Sequence, residues 1–248
     1  MTMRILITND DGIDAPGIRA LAHVFNAKHD IVVVAPSEER SAASHGIISM
    51  RGLSYKKETH YDYEAFSVSG LPADCVKLAV LHLLDKKPDL VLSGINRGKN
   101  LGTDVMYSGT VSAAFEAIYM GVPSIALSAS YLSSDDQYKE CALFALNNLD
   151  KLLALKIPDS SALNINFPTK AKILGTKVTA IGRHLYNDKY FEHGDGGYIL
   201  DGKSLPPERQ DQGFDLDWYN KGYITISPIQ NDRNDYKTLE RIKKEWKD

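Results

Sequence analysis

Asp10 and Asp11 stand side by side at the end of the run Met3-Arg4-Ile5-Leu6-Ile7-Thr8-Asn9, with Gly12 next. Neighbouring carboxylates repel each other, and burying such a pair is costly unless a cation compensates it. The apolar run reads as a buried strand over residues 5–8. Open α/β sheets collect their ligands in the crevice at the carboxyl ends of the strands. The pair therefore points to a bound divalent metal. The competing reading is a turn or a helix N-cap, although Asp14 can supply a cap by itself.

Further oxygen donors follow later apolar runs. Ser41 lies in the polar loop 37–45 after the run 31–35. Asn96 follows the run 90–92, within Ser93-Gly94-Ile95-Asn96-Arg97-Gly98-Lys99-Asn100. Loops after parallel strands open on one edge of a sheet, so residues distant in sequence can meet there. Two carboxylates, a hydroxyl and an amide carbonyl are hard donors that suit Mg²⁺, Mn²⁺ or Ca²⁺, unlike the Cys/His sets of zinc. On spacing alone, Ser41 and Asn96 read as ordinary loop residues.

A second feature is Tyr107-Ser108-Gly109-Thr110-Val111, which leads straight into an amphipathic helix. A helix amino terminus offers free N–H groups and a partial positive charge, a natural phosphate cradle. Gly109 permits close backbone approach, and Ser108 and Thr110 add hydroxyls. Plain N-capping by Ser108 or Thr110 is the competing reading. A metal beside an anion cradle is an arrangement used for phosphoryl chemistry. Gly94-Ile95-Asn96-Arg97-Gly98 is not a dinucleotide fingerprint, and no Walker A sequence is present. The histidines are isolated, and only His45, close to the Ser41 loop, is a candidate proton donor.

These residues need a scaffold, and the periodicity supplies one. Strands are expected at 5–8, 31–35, 90–92, 124–127 and 163–167, with alternating strands at 47–53 and 63–68 as antiparallel excursions. Helices are expected at 16–26, around Val76 to Leu83, around Val111 to Ile118 with Gly121 as C-terminal cap, and at 138–153. Short apolar strands alternating with amphipathic helices predict an α/β fold: a three-layer, Rossmann-like, mostly parallel sheet with helices on both faces. From about Lys177 the texture changes. Residues 182–213, rich in Gly, Tyr, Asp and Pro, predict a protruding C-terminal β-hairpin arm, followed by a returning strand at 223–227 and a charged helix at 236–246. The organisation expected is a catalytic core over 1–180 and an arm, strand and terminal helix over 181–248 used in oligomerisation.

Bulk properties exclude several classes. The 248 residues are 43% hydrophobic and 25% charged, an ordinary globular composition. A formal net charge of −3 with no basic block argues against a nucleic-acid groove or a membrane surface. No apolar run approaches the ~20 residues of a membrane span. No signal-peptide pattern opens the chain, so a cytoplasmic protein is expected. Cys75 and Cys141 have no CxxC spacing and read as two buried free thiols, which suits a reducing compartment.

Taken together, the chain resembles the SurE family, the survival-protein nucleotidases. The resemblance spans nearly the whole length. It rests on Ile7-Thr8-Asn9-Asp10-Asp11-Gly12, Ala35-Pro36 through Arg40-Ser41, Gly70-Leu71-Pro72-Ala73-Asp74-Cys75-Val76, Ser93-Gly94-Ile95-Asn96-Arg97-Gly98 with Asn100, Tyr107-Ser108-Gly109-Thr110-Val111, and Gly222-Tyr223-Ile224-Thr225-Ile226-Ser227-Pro228. Ser37 stands where the family commonly has an aspartate. The resemblance implies one divalent cation, Mg²⁺ or Mn²⁺, on Asp10, Asp11, Ser41 and Asn96. It implies a 5′-nucleotidase, a phosphoric monoester hydrolase that converts nucleoside 5′- and 3′-monophosphates to nucleoside and phosphate. It also implies a homodimer or homotetramer built partly by exchanged C-terminal arms. In the mechanism expected, Asp10 or Asp11 takes a proton from the attacking water, while Asn9, Asn96, Ser108, Gly109 N–H and Thr110 orient the phosphoryl oxygens. One alternative is a phosphoaspartyl phosphatase with Asp10 as nucleophile, but that type spaces its second aspartate two residues on. Another is a receiver-like signalling module, which needs an acceptor aspartate where Ser93 and Asn96 stand. A plain nucleotide-binding module is a third.

Overall fold

The computed structural model describes residues 2–131, 133–169, 173–205 and 213–246. In chain order the elements are β1 (Arg4–Thr8), α1 (Pro16–Asn26), β2 (Asp30–Pro36), β3 (Tyr55–Glu58), β4 (Glu64–Val68), α2 (Pro72–Leu78), β5 (Leu90–Arg97), α3 (Gly109–Tyr119), β6 (Ser124–Ala129), α4 (Asp135–Asn147), α5 (Leu149–Leu153), β7 (Ser161–Phe167), β8 (Thr176–Val178), β9 (Tyr186–His193), β10 (Gly197–Ser204), α6 (Asp215–Lys221), β11 (Ile224–Gln230) and α7 (Tyr236–Glu245).

Among the described residues, nine strands form one sheet in the order β3-β4-β2-β1-β5-β6-β7-β11-β8, and β9 and β10 pair only with each other. The six central strands, β4-β2-β1-β5-β6-β7, are all parallel. Their order is that of a Rossmann sheet, and it reverses direction at β1. The ligand crevice of such a sheet lies where the order reverses, which here is the carboxyl end of β1 against β5.

Sequence alternation explains the three layers. Ile5, Ile7, Ile31, Val33, Leu90 and Leu92 face one side, against α1 and α4. Leu6, Val32, Val34 and Val91 face the other, against α2 and α3. Strands buried on both faces read as continuous apolar runs, as observed. Gly17 lets α1 lie directly on β5: a Cβ there would sit 1.9 Å from the Ile95 carbonyl oxygen.

Four expectations are corrected. Residues 47–53 form no strand; Ile47 and Met50 are exposed, Met50 has a left-handed backbone, and no neighbour pairs with them. The edge strand is instead β3, antiparallel to β4, while β4 itself runs parallel to β2. The helix expected over 138–153 begins earlier, at a Ser134–Gln137 capping box, and breaks at Asn148, whose amide bonds the Phe144 carbonyl (2.8 Å). Asp14 does not cap α1; it accepts from the Tyr61 hydroxyl at 2.5 Å.

The hairpin of β9 and β10 stands clear of the sheet, exposed along nearly all its length. Residues 206–212 of the expected arm lie outside the described residues. The returning strand, β11, enters the main sheet between β7 and β8. Among the described residues, no helix is long and apolar enough to cross a membrane.

Candidate active site

Asp10 sits just beyond β1, only 4% exposed, and faces the amino terminus of α3. Its Oδ2 accepts from the Thr110 N–H at 3.1 Å, and its Oδ1 accepts from the Thr110 hydroxyl. Burial pushes the carboxyl up from its ordinary value, and the Thr110 and Gly109 donors oppose this only in part. The helix terminus expected to cradle phosphate is thus already turned on an anion, the Asp10 side chain. Ser108 is the N-cap of α3, accepting from Val111 N–H at 3.1 Å, so the capping reading holds for this residue. Gly109 makes the approach possible: a Cβ there would lie 2.8 Å from Asp10 Cβ and 3.0 Å from Pro72 Cγ.

Asp11 is half-buried and leans to the other side, onto β5. Its Oδ2 accepts from the Arg97 N–H at 2.8 Å. Burial first, and the charge of Asp10 second, push its carboxyl up to about 6, with Glu39 adding to the effect. Glu39 also accepts from the Ser41 hydroxyl at 2.6 Å. The Arg40 N–H bonds the Asp10 carbonyl at 2.7 Å, so the Ser41 loop is pinned against the end of β1. Asn96, at the end of β5, donates its amide N–H to the Gly98 carbonyl at 2.9 Å, which leaves the amide oxygen for another partner. Asn9 is fully buried; its amide N–H bonds the Gly12 carbonyl at 2.8 Å, while its Oδ1 has no hydrogen-bond partner. The hydroxyls of Thr8 and Ser93, opposite each other in β1 and β5, are likewise unpartnered.

A hard divalent cation fits this donor set. Both acids hold protons more tightly than usual because burial outweighs the donors around them and, for Asp11, the Arg97 charge, and the Oδ1 of neighbouring Asn9 is unpartnered. Among the described residues, no three His, Cys, Asp or Glu side chains cluster for a metal, so any cation here would depend on neutral oxygens beside the aspartates.

Three contacts that spacing did not announce hold the loop between β5 and α3. Asn100 bonds Asn166, Ser128 and Asn164 through its N–H, its amide and its carbonyl. Asp215, buried at the start of α6, accepts from Gly102 N–H (2.8 Å) and Gly182 N–H (2.9 Å). His184 Nδ1 meets the Asp104 carboxylate at 2.7 Å. His45 is also structurally engaged. Its Nε2 lies 2.9 Å from Glu116 of α3, and its ring stacks on Tyr119. Burial works to raise the Glu116 carboxyl, yet bonds from His45 and Lys77 hold it below the usual range.

With this geometry established, the comparisons with known proteins are specific. The family model described as survival protein SurE matches residues 5–188. The chain belongs to the SurE family. A relative named 5′-nucleotidase SurE from Alkaliphilus metalliredigens (strain QYMF) is 43% identical over 97% of this chain and 98% of its own. One of the same name from Pelotomaculum thermopropionicum is also 43% identical, over 98% of this chain and 95% of its own. The crystal structure of the SurE protein from Aquifex aeolicus superposes with a TM-score of 0.82 at 35% identity, over 97% of this chain and 98% of that one. The Rossmann-like core with its separate hairpin is therefore the fold of this family.

The close approach of α3 to β1 is open to test. Gly109→Ala must push the helix off Asp10, and a loss of about 1–3 kcal/mol is expected in urea unfolding. Gly52→Ala is the control: a Cβ there meets nothing within 4 Å, and no comparable loss is expected.

Proposed function

We propose that this chain is a metal-dependent phosphomonoesterase that hydrolyses nucleoside 5′- and 3′-monophosphates to nucleoside and phosphate. The SurE relatives named 5′-nucleotidase support the activity. The observation that carries the metal is the buried Asp10–Asp11 pair at the sheet's reversal point, with neutral oxygens beside it. Asp10, Asp11, Ser41 and Asn96 would hold one Mg²⁺ or Mn²⁺. When bound, such an ion offsets negative charge on phosphoryl oxygens and makes a nearby water more acidic.

The protein's own residues divide the remaining work. Thr110 fixes Asp10 with two hydrogen bonds and so acts through that carboxylate. Asp11, less buried and with one oxygen free of protein donors, is placed to take the proton of the attacking water. Asn9, Asn96 and Ser108 would orient the phosphoryl oxygens, while the Gly109 backbone, like Thr110, is turned on Asp10. Positioning and charge compensation then carry most of the rate, as is general for phosphoryl transfer.

The same reading extends to assembly and compartment. Tyr190, Phe191, Tyr198, Ile199 and Leu200 are exposed on the hairpin, and Tyr236, Leu239, Ile242 and Trp246 are exposed on or beside α7, which buries no residue of its own. Apolar surface of this kind supports a homodimer or homotetramer built through the arm. Cys75 and Cys141 are free and buried, and burial pushes both thiols up, the second to about 12. This supports a reducing, cytoplasmic setting.

Three measurements check this reading. Phosphate release from AMP should require added Mg²⁺ or Mn²⁺ and stop with chelator. Asp10→Asn should lower it by roughly 100-fold or more, and near-normal turnover at saturating metal would overturn the scheme. Metal-induced thermal stabilisation should depend on pH. With both folded-state values raised, the metal-free fold binds more protons than the unfolded chain, so its stability falls as pH rises between the ordinary carboxylate value and about 6. A cation that replaces those protons should therefore raise Tm more above pH 6 than below it; an equal rise at pH 5 and pH 8 argues for binding elsewhere. Replacing residues 187–203 with a short Gly-Ser turn should shift the mass seen by light scattering to a smaller assembly.

A further inference from the structure

Beside the acidic pair, the end of β5 carries a feature that the reaction scheme does not use. Arg97 spends its backbone N–H on Asp11, but its side chain is exposed and lies over the ring of Tyr131, with the guanidinium carbon 4.5 Å from the ring centre. The two residues are anchored to one corner of the sheet. Arg97 is in register with Ala129 across β5 and β6, and Gly98 N–H bonds the Ala129 carbonyl at 2.9 Å. The turn just past β6 is fixed by Ser130 N–H on the Phe167 carbonyl (3.2 Å) and Ser133 N–H on the Ser130 carbonyl (2.9 Å). It presents the Tyr131 ring 64% exposed. A large aromatic ring so exposed and backed by a cation is suited to stack on a flat ligand.

We propose that Arg97 and Tyr131 form the nucleobase platform of the substrate site. This inference rests on the nucleotidase reading above. A nucleotide has two ends with different needs. Its phosphate requires charge compensation, which the acidic pair and its cation would supply. Its base requires a flat apolar surface at a distance set by the ribose. Arg97 links the two ends: its backbone N–H bonds Asp11, and its guanidinium lies over the Tyr131 ring. A base stacked on Tyr131 gains dispersion contact with the ring, and Arg97 adds a cation–π contribution. Stacking reads the face of a base and not its hydrogen-bonding edge.

A second ring, Tyr107, directly ahead of the Ser108 cap, is 67% exposed. Among the described residues no cation is found over it, which favours Tyr131 as the partner of the base. The two positions give different results in one experiment. The ratio of kcat/KM for AMP to that for ribose 5-phosphate isolates the contribution of the base, because both carry the same phosphomonoester. In Tyr131→Ala this ratio should fall roughly tenfold, mostly through KM for AMP, and Tyr131→Phe should restore it. An unchanged ratio in Tyr131→Ala, in a chain that hydrolyses AMP, overturns the platform and leaves the nucleotidase reading standing. A collapse of the ratio in Tyr107→Ala, with Tyr131→Ala unaffected, also overturns it. If the wild-type chain releases phosphate from neither substrate, the nucleotidase reading fails and the platform fails with it.

Discussion

Two carboxylates that neighbour each other in sequence are taken out of water at the end of the central strand, and the rest of the site is arranged around that cost. Desolvation and mutual repulsion raise both aspartates, one of them to about 6. The protein answers chiefly with hydrogen-bond donors, and the Arg97 charge lowers Asp11 only as a lesser effect. Asp10 receives the Thr110 donors at the positive end of α3, and Asp11 receives a strand-end amide from Arg97. These contacts hold the acids in place without neutralising them. An acidic pair oriented by neutral donors keeps its affinity for a dication, whereas a lysine or arginine in salt-bridge contact would compete for the same charge.

That arrangement depends on close packing in which side chains are excluded. Gly17 allows α1 onto β5, and Gly109 allows α3 onto Asp10. Both glycines sit in helices, where the residue is otherwise unfavourable. The loop that delivers α3 is itself pinned by Asn164 and Asn166, whose side chains satisfy the Asn100 backbone, and by Asp215, which accepts from the Gly102 and Gly182 N–H groups. That side of the site is therefore held by packing and buried hydrogen bonds. Tyr107 and Tyr131, by contrast, are exposed.

Sequence and structure agree best where a residue's role follows from its own strand or helix. The apolar runs of β1, β2, β5, β6 and β7 were legible because strands buried on both faces are continuous in hydrophobicity. The helix of residues 16–26 was legible in full because Pro16 starts it and its apolar positions repeat at helical spacing. The window 47–53 misled because alternation without a pairing partner does not make a strand. The break at Asn148 was hidden inside an unbroken amphipathic pattern, since one side-chain bond to a carbonyl leaves no trace in periodicity.

By itself, the sequence determined the class of fold and put the acidic pair at the end of its first strand, because residue type and local period encode burial directly. Only the tertiary structure decided which groups face one another. Thr110 serves Asp10 across 100 residues, Arg97 serves Asp11 across 86, and His45 is bound to Glu116 and not to the acidic pair. Such pairings arise from strand order and helix docking, and a one-dimensional pattern carries no record of which loops the sheet brings to the same edge.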